Sequence, residues 1–425
     1  MLRYKSLLML YFISFLVIPN YSGIQIPGLP LLSVQRIVLI FLLGWMLLKK
    51  SILNNFLKAN KNIAKSEFAM MMLLLGTALV TGLLNGMNSF FNPLFDWAIA
   101  FFMYRFMFSY YLDMRETIDL LKKVFWVIGI LGLVEALTGI NVFTFLDTGM
   151  TTGMNNGALM RGVDLRICSA YGHPLAYSLV INLFFPILCY NTHTRKINLL
   201  QNRGLVALLF LNVLLSGSRS GIAVFVAEAF LIFVFTSHMY FNRLLLHTIA
   251  AAVIVGLILT FASGSELIQQ FARSFLYVID ELFGTKYAAL WGGEQGISNS
   301  SLYRTVLWKI LSIKQYRSWF GMGNDMRISL SIDGFFVESI DNYYICTYLR
   351  SGIIGLLCSC GFLISHAFNY IRTCFHNKNR PLALLGLISL CGYLGSLFVV
   401  DEIGTFRISM LVLAFFSVYC LSKEK

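Results

Sequence analysis

The chain has 425 residues, 58% of them hydrophobic and only 12% charged, with a mean hydropathy of +0.73. A soluble protein of this length carries about twice that charged fraction to cover its surface, which excludes a soluble fold. The net charge of +13 reflects basic residues gathered in one set of loops, so it gives no argument for a nucleic-acid partner.

Apolar runs long enough to cross a hydrocarbon core of roughly 30 Å recur along the chain. Backbone groups in lipid must be satisfied within the segment, so these runs predict helices. The first, Leu7 to Ile18 behind Arg3 and Lys5, reads as a signal peptide or as a retained first span. Pro19, Asn20 and Tyr21 follow it in place of a small-x-small cleavage site, which favours a retained helix. Further spans are expected near Leu31 to Leu48, Glu67 to Leu84, Pro93 to Tyr111, Leu120 to Leu137, His173 to Tyr190 and Leu205 to Leu215. The rest are expected near Gly221 to Thr236, Leu245 to Ala262, Asp341 to His366, Pro381 to Val399 and Phe406 to Leu421. The fold class is therefore all-α: a single polytopic membrane domain, residues 1–425, of about 12 transmembrane helices. More than half of the 33 Lys and Arg fall on one side, for example Lys49, Lys50, Lys58, Lys61, Arg195 and Lys196. The short loops after the first, third and eleventh spans carry none, so both termini are expected in the cytoplasm.

Two outer segments are too long to be connectors: about Thr138 to Gly172, and residues 263–340 between spans nine and ten. In the second, Leu267, Ile268, Phe271, Phe275, Val278, Ile279 and Leu282 form a stripe opposite Gln269, Gln270, Arg273, Asp280 and Glu281. Another stripe, Leu302, Val306, Leu307, Ile310 and Leu311, follows Ser298, Asn299 and Ser300. Both predict amphipathic helices lying on the outer membrane surface with the apolar face down.

Four outward groups could carry chemistry. The first is Arg161, Arg166 and His173, where His173-Pro174 is equally a polar helix start. The second is the turn Ser216-Gly217-Ser218-Arg219-Ser220-Gly221. An arginine among small residues at the membrane edge is costly unless paired, and its fork suits bidentate phosphate binding; the alternative is a snorkelling anchor. The third is Arg304 and Trp308, four apart on one helical face, followed by Gly321-Met322-Gly323; the plain alternative is an interfacial aromatic beside a solvated charge. The fourth is Asp341-Asn342-Tyr343-Tyr344, opening the tenth span, with Glu338 three residues before Asp341. Asp341 is either a base or a helix N-cap. Glu228 and Arg105 lie inside spans, as proton-relay or pairing residues of a transporter, or as a structural pair or a snorkelling arginine. The eight cysteines form no disulfide or metal framework, and Cys358 and Cys360 read as packing residues. Only His173 of the six histidines lies outside, and the first outer loop has no carboxylate. No metal and no cofactor is therefore expected on the outer face.

The turn around Arg219, Arg166 with Gly172-His173-Pro174, Arg304 with Trp308 and Gly321-Met322-Gly323, and Asn342 followed by Arg350-Ser351-Gly352 resemble the O-antigen polymerase and O-antigen ligase superfamily. The resemblance spans roughly Arg166 to Leu357. It implies a metal-independent membrane glycosyltransferase of the bacterial inner membrane, with residues 263–340 as a periplasmic loop and the active site facing the periplasm. The donor would be a growing glycan on undecaprenyl diphosphate, and the acceptor one lipid-linked repeat unit. A chain-length regulator would be the protein partner to look for, alongside membrane lipid. Ligases of this family typically carry a histidine, resembling a catalytic base, where Asp341 stands here; this departure favours an O-antigen polymerase over a ligase. Arginines Arg161, Arg166, Arg219 and Arg304, with His173, Trp308 and Asn342, would hold the diphosphate and its glycan, while Asp341 or Glu338 would serve as base. A flippase or transporter is the non-enzymatic rival, and would place its charges at midplane on broken helices.

Overall fold

The structure is a computed structural model, and it describes residues 2–26, 31–148, 159–161, 164–237, 240–243, 245–250, 253, 264–292, 298–316, 318–324, 326, 328–376 and 379–420. It is predominantly helical. The helices are α1 (Leu2–Val17), α2 (Val34–Leu48), α3 (Lys50–Lys61), α4 (Lys65–Asn85), α5 (Asn88–Asn92), α6 (Ala100–Tyr110) and α7 (Met114–Thr138). They continue with α8 (Pro174–Leu188), α9 (Arg203–Leu215), α10 (Arg219–Phe235), α11 (Glu266–Phe283), α12 (Ser298–Leu307), α13 (Tyr343–His376), α14 (Arg380–Ser396) and α15 (Phe406–Tyr419). Between α5 and α6 the chain makes a π-helical turn, Pro93–Ile99. The strands described form two-stranded antiparallel hairpins.

By length and composition, α4 and Tyr343–Phe375 of α13 are apolar enough to cross a membrane. Among the described residues, a third such span exists only if α2 and α3, bent by 109°, are taken together. Most other apolar helices, α8, α14 and α15 among them, have 10–17 residues, about 15–26 Å at 1.5 Å per residue. The apolar helices are those of a membrane protein, but twelve full-length spans are not established. The expected ninth span, Leu245 to Ala262, lies largely outside the described residues. The amphipathic α3, with Lys58 and Lys61 in its last turn, turns away from α2 and lies against α6.

Helices α8 and α15 form the centre. Nearly every residue of α8 is buried, and α15 is buried from Phe406 to Ser417, as expected for helices apolar all round. Around them α6 lies along α15, α14 along α8, and α13 between α14 and α4. Several buried polar groups are paired within this bundle. Glu67 accepts from Asn369 Nδ2 at 2.6 Å and from Ser417 Oγ at 2.8 Å, and Arg105 donates to the same Ser417 hydroxyl. Arg105 therefore belongs with Glu67, not with Glu228. Glu228 lies against Gly392 of α14, and its carboxylate has no hydrogen-bond partner among the described residues.

Helix α13 is interrupted at Gly352, which has φ 72° and ψ −175°. Segment 318–324 stitches the break. Met322 N and Gly323 N donate to Leu349 O and Arg350 O at 2.8 and 2.9 Å, while Ile353 N and Ile354 N donate to Ser318 O and Trp319 O at 3.1 and 3.3 Å. Thr81 Oγ1 of α4 donates to Phe320 O at 2.7 Å and fixes the other side of the segment. The backbones approach so closely that a Cβ on Gly352 would lie 2.2 Å from Trp319 C, and one on Gly321 2.3 Å from Arg350 O. Residues from Leu307 to Leu349 add a small second core of Leu307, Ile310, Val337, Ile345 and Leu349. The described part of this segment thus forms a folded cap on the bundle.

Gly352→Ala combines a left-handed φ with a backbone clash, and is expected to cost about 2 kcal/mol or more. Gly395→Ala, on α14 with open space around it, is the control. Thermal unfolding of detergent-solubilised protein should show a lowered midpoint only for the first. Equal midpoints would contradict the stitched break.

Candidate active site

Each residue of the turn between α9 and α10 has a geometric task. Gly217 takes φ 58° and packs against the Arg166 side chain. Ser218 caps α10 by accepting from Gly221 N at 3.1 Å. Gly221 lies where a Cβ would meet Ser178 Oγ of α8 at 2.5 Å. The turn carbonyl Ser216 O accepts from Arg166 Nε at 2.9 Å. Arg219, first residue of α10, extends to Glu281 of α11, with Nη1 3.0 Å from Oε2. Arg304 of α12 approaches the other oxygen of the same carboxylate at 3.9 Å. Arg166, Arg219 and Arg304, distant in sequence, thus gather at one turn, two of them around a single carboxylate.

Helix α11 delivers Glu281 by docking residues of both faces: Val278 and Phe271 of the apolar stripe pack on the core, and residues expected to be solvated are engaged as well. Gln270 Nε2 donates to Leu165 O at 2.5 Å, Arg273 pairs with Asp164, and Arg273 is buried. Leu282 and Phe283 at its C-terminal end are exposed instead. Asp164 and Leu165 sit in the strand that carries Arg166. Farther along, Glu135 of α7 accepts from Cys168 N at 3.2 Å and Ser169 N at 2.7 Å, and so shapes the approach to His173. His173 caps α8, accepting from Leu175 N at 3.2 Å. It has both Arg166 and Asp341 within electrostatic reach, and so links the arginine cluster to the cavity beside it.

That cavity holds about 650 Å³ and is lined by His173, Glu338, Asp341, Arg350, Asp401 and Glu402 among others. Glu338 and Asp341 come from the cap. Asp401 and Glu402 come from the loop between α14 and α15, where Arg350, beside the break in α13, reaches Asp401 at 3.4 Å and Glu402 at 3.8 Å. Asn342, not Asp341, caps α13: its Oδ1 accepts from Ile345 N at 3.0 Å and its Nδ2 donates to Phe398 O at 2.7 Å. Asp341 is left to accept from Ser339 Oγ at 2.9 Å and to line the cavity. Beyond Arg350 and Glu402 a second cavity of about 460 Å³ opens toward α2 and the π-helical turn.

The residues singled out in the sequence thus fall into two adjoining groups: Arg166, Arg219 and Arg304 at the turn, and His173, Glu338 and Asp341 at the cavity. Trp308 is exposed beside Arg304's helix, and Asn342 is buried with its amide engaged in the fold. Only the backbone of Arg161, in its strand, is within the described part. Glu281, Asp401 and Glu402 are additions. The Asp401-Glu402 pair in a loop of otherwise uncharged residues was a usable signal, whereas Glu281 read as one more polar residue of a surface helix.

Burial, and after it the charge of Asp401, hold the Glu402 carboxyl at about 8, so that it keeps its proton at neutral pH. The folded value lies above the unfolded one of about 4.3. Its contribution to stability is therefore full below that unfolded value and is lost as pH rises through 8. The unfolding midpoint of the wild type should fall as pH rises over this window, and Glu402→Gln should flatten the fall. An equally steep fall in the Gln variant would contradict the assignment.

No curated protein matches the chain. Residues 204–360 match the family model described as O-antigen ligase, a stretch that runs from the start of α9 through Arg219, Glu281, Arg304 and Asp341 to Arg350; this match supports the O-antigen ligase and polymerase superfamily.

Proposed function

We propose that the protein is an O-antigen polymerase of the bacterial inner membrane, with about a dozen spans, both termini cytoplasmic and the site facing the periplasm. It transfers a growing glycan from undecaprenyl diphosphate to a lipid-linked repeat unit, without a metal or cofactor. The observation that carries this reading is Arg219 and Arg304 gathered around one carboxylate, next to a cavity rimmed by Asp341, Asp401 and Glu402. The Glu281 carboxylate occupies the position that an anionic group between two guanidinium forks would take.

In the proposed reaction the donor diphosphate replaces Glu281 between Arg219 and Arg304, with Arg166 behind the turn. Asp341 accepts the proton of the acceptor hydroxyl, whose oxygen attacks the anomeric carbon. The bond from that carbon to the diphosphate oxygen breaks, and the electron pair leaves with the diphosphate. The arginines meet charge that grows in the transition state, so they lower the barrier more than they tighten binding. Glu402, protonated at neutral pH, donates a hydrogen bond at the same cavity, and Arg350 keeps Asp401 and Glu402 in place.

The second reading is a ligase that transfers finished glycan to lipid A core, and the matched family description favours it. Asp341 in place of the ligase-type histidine favours the polymerase. Deleting the gene separates the two: a polymerase mutant leaves core lipid A bearing one repeat, whereas a ligase mutant leaves bare core. In the complemented strain, Arg219→Ala should lose long polymer at normal protein levels, a rate loss on the order of 10² to 10³. Arg219→Lys keeps the charge without the fork and should remain strongly impaired. Bare core in the deletion strain, or wild-type chain lengths from Arg219→Ala, would overturn the proposal.

A further inference from the structure

The second cavity differs in chemistry from the first. It meets the first at Arg350, Glu402 and Gly404. Three arginines line it, and each is already engaged. Arg36 holds Asp96 with Nε at 2.9 Å and Nη2 at 2.5 Å, and donates also to Asn92 Oδ1 at 2.7 Å and Leu31 O at 2.8 Å. Arg350 pairs with Asp401 and Glu402. Arg407 donates to Gly404 O at 3.3 Å, and its guanidinium carbon lies 5.0 Å from the Phe15 ring centroid. A diphosphate would have to break these contacts to find a cation.

What the second cavity offers is amides and an aromatic. Asn88, Asn92 and Asn324 line it with Trp97. The side-chain amides of Asn88 and Asn324 make no hydrogen bond among the described residues. The π-helical turn Pro93–Ile99 brings Asp96 and Trp97 to this wall, and such widened turns are frequent at functional sites. Trp97 is held edge-on by Phe406, ring centroids 4.7 Å apart. Amides presented to hydroxyls beside a fixed aromatic are suited to an uncharged sugar.

We infer that this second cavity is the acceptor site: it takes an uncharged sugar at the end of the lipid-linked repeat unit and presents its hydroxyl past the Arg350–Glu402 junction to Asp341, the proposed base in the first cavity. The inference rests on the polymerase reading. It places donor diphosphate and acceptor sugar on opposite sides of Asp401 and Glu402. Asn88 and Asn324 are binding residues that touch the acceptor alone.

The test uses purified full-length protein, polymer-bearing undecaprenyl diphosphate held at saturation as donor, and tritiated single-repeat lipid varied as acceptor. Both lipids are extracted from the host, the single-repeat lipid from cells lacking this chain. Asn324→Ala, and separately Asn88→Ala, should raise half-saturation by the single-repeat lipid about 3- to 10-fold, the loss of one neutral hydrogen bond. Half-saturation by the polymer donor, measured at fixed acceptor, should stay within about twofold. Each variant is compared with wild type in thermal unfolding, and the one that unfolds normally carries the result. Unchanged acceptor half-saturation, or a rise in donor half-saturation instead, would overturn the inference and leave the polymerase reading standing. Wild-type protein that makes no labelled polymer would overturn the polymerase reading and this inference with it.

Discussion

A helix that breaks frees backbone N–H and C=O groups, each costly to bury without a partner. In α13 the break at Gly352 frees such groups on both sides, and segment 318–324 meets them with four backbone hydrogen bonds from Met322, Gly323, Ile353 and Ile354. The placement of Glu338, Asp341 and Arg350 follows from that docking. The cap is pinned to the bundle between α4 and α13, so the chain leaving it must deliver Glu338 and Asp341 to the start of α13. The same break leaves Arg350 at the cavity wall rather than along a continuous helix, within reach of Asp401 and Glu402.

The second organising feature is charge. Ions at this end of the bundle are held by local pairing: Arg36 with Asp96, Arg350 with the Asp401-Glu402 pair, and both Arg219 and Arg304 with the one carboxylate of Glu281. Partly buried charges require such partners, because desolvation is repaid only by close opposite charge. The three groups are not equivalent. Arg36 makes four hydrogen bonds to its surroundings and is fixed. Glu281 sits at the end of an outer helix, partly exposed, with one arginine at 3.0 Å and the other at 3.9 Å. It is the carboxylate most readily exchanged for an incoming anion.

How much was legible follows from how local each feature is. The Ser216–Gly221 turn was readable as a turn because small residues and an arginine stand together within six positions, whereas the packing of Gly221 on Ser178 and of Gly217 on Arg166 is long-range and was not. The helix stripes at Glu266–Phe283 and Ser298–Leu307 were readable from periodicity, but the docking of Arg273 was not, since it finds Asp164 more than a hundred residues away. Long-range pairing also misled the reading of Arg105, whose network runs to Glu67 and Ser417. Asp341 and Asn342 competed for the cap of α13; the amide took it because it can accept from Ile345 N and donate to Phe398 O at once. The π-helical turn left no trace in composition. The number of spans was read from hydropathy alone, and several of the helices are shorter than a full crossing.

The central claim is that the space between Arg219 and Arg304, now held by Glu281, receives the donor diphosphate. Binding of undecaprenyl diphosphate to the purified protein in detergent, without any glycan, tests it most directly. Removing the competing charge in Glu281→Gln should leave binding at least as tight as wild type, while Arg219→Ala should weaken it about tenfold or more, as loss of a charge-assisted contact requires. Wild-type affinity in Arg219→Ala, or a loss in Glu281→Gln as large as that expected for the arginine, would contradict the account.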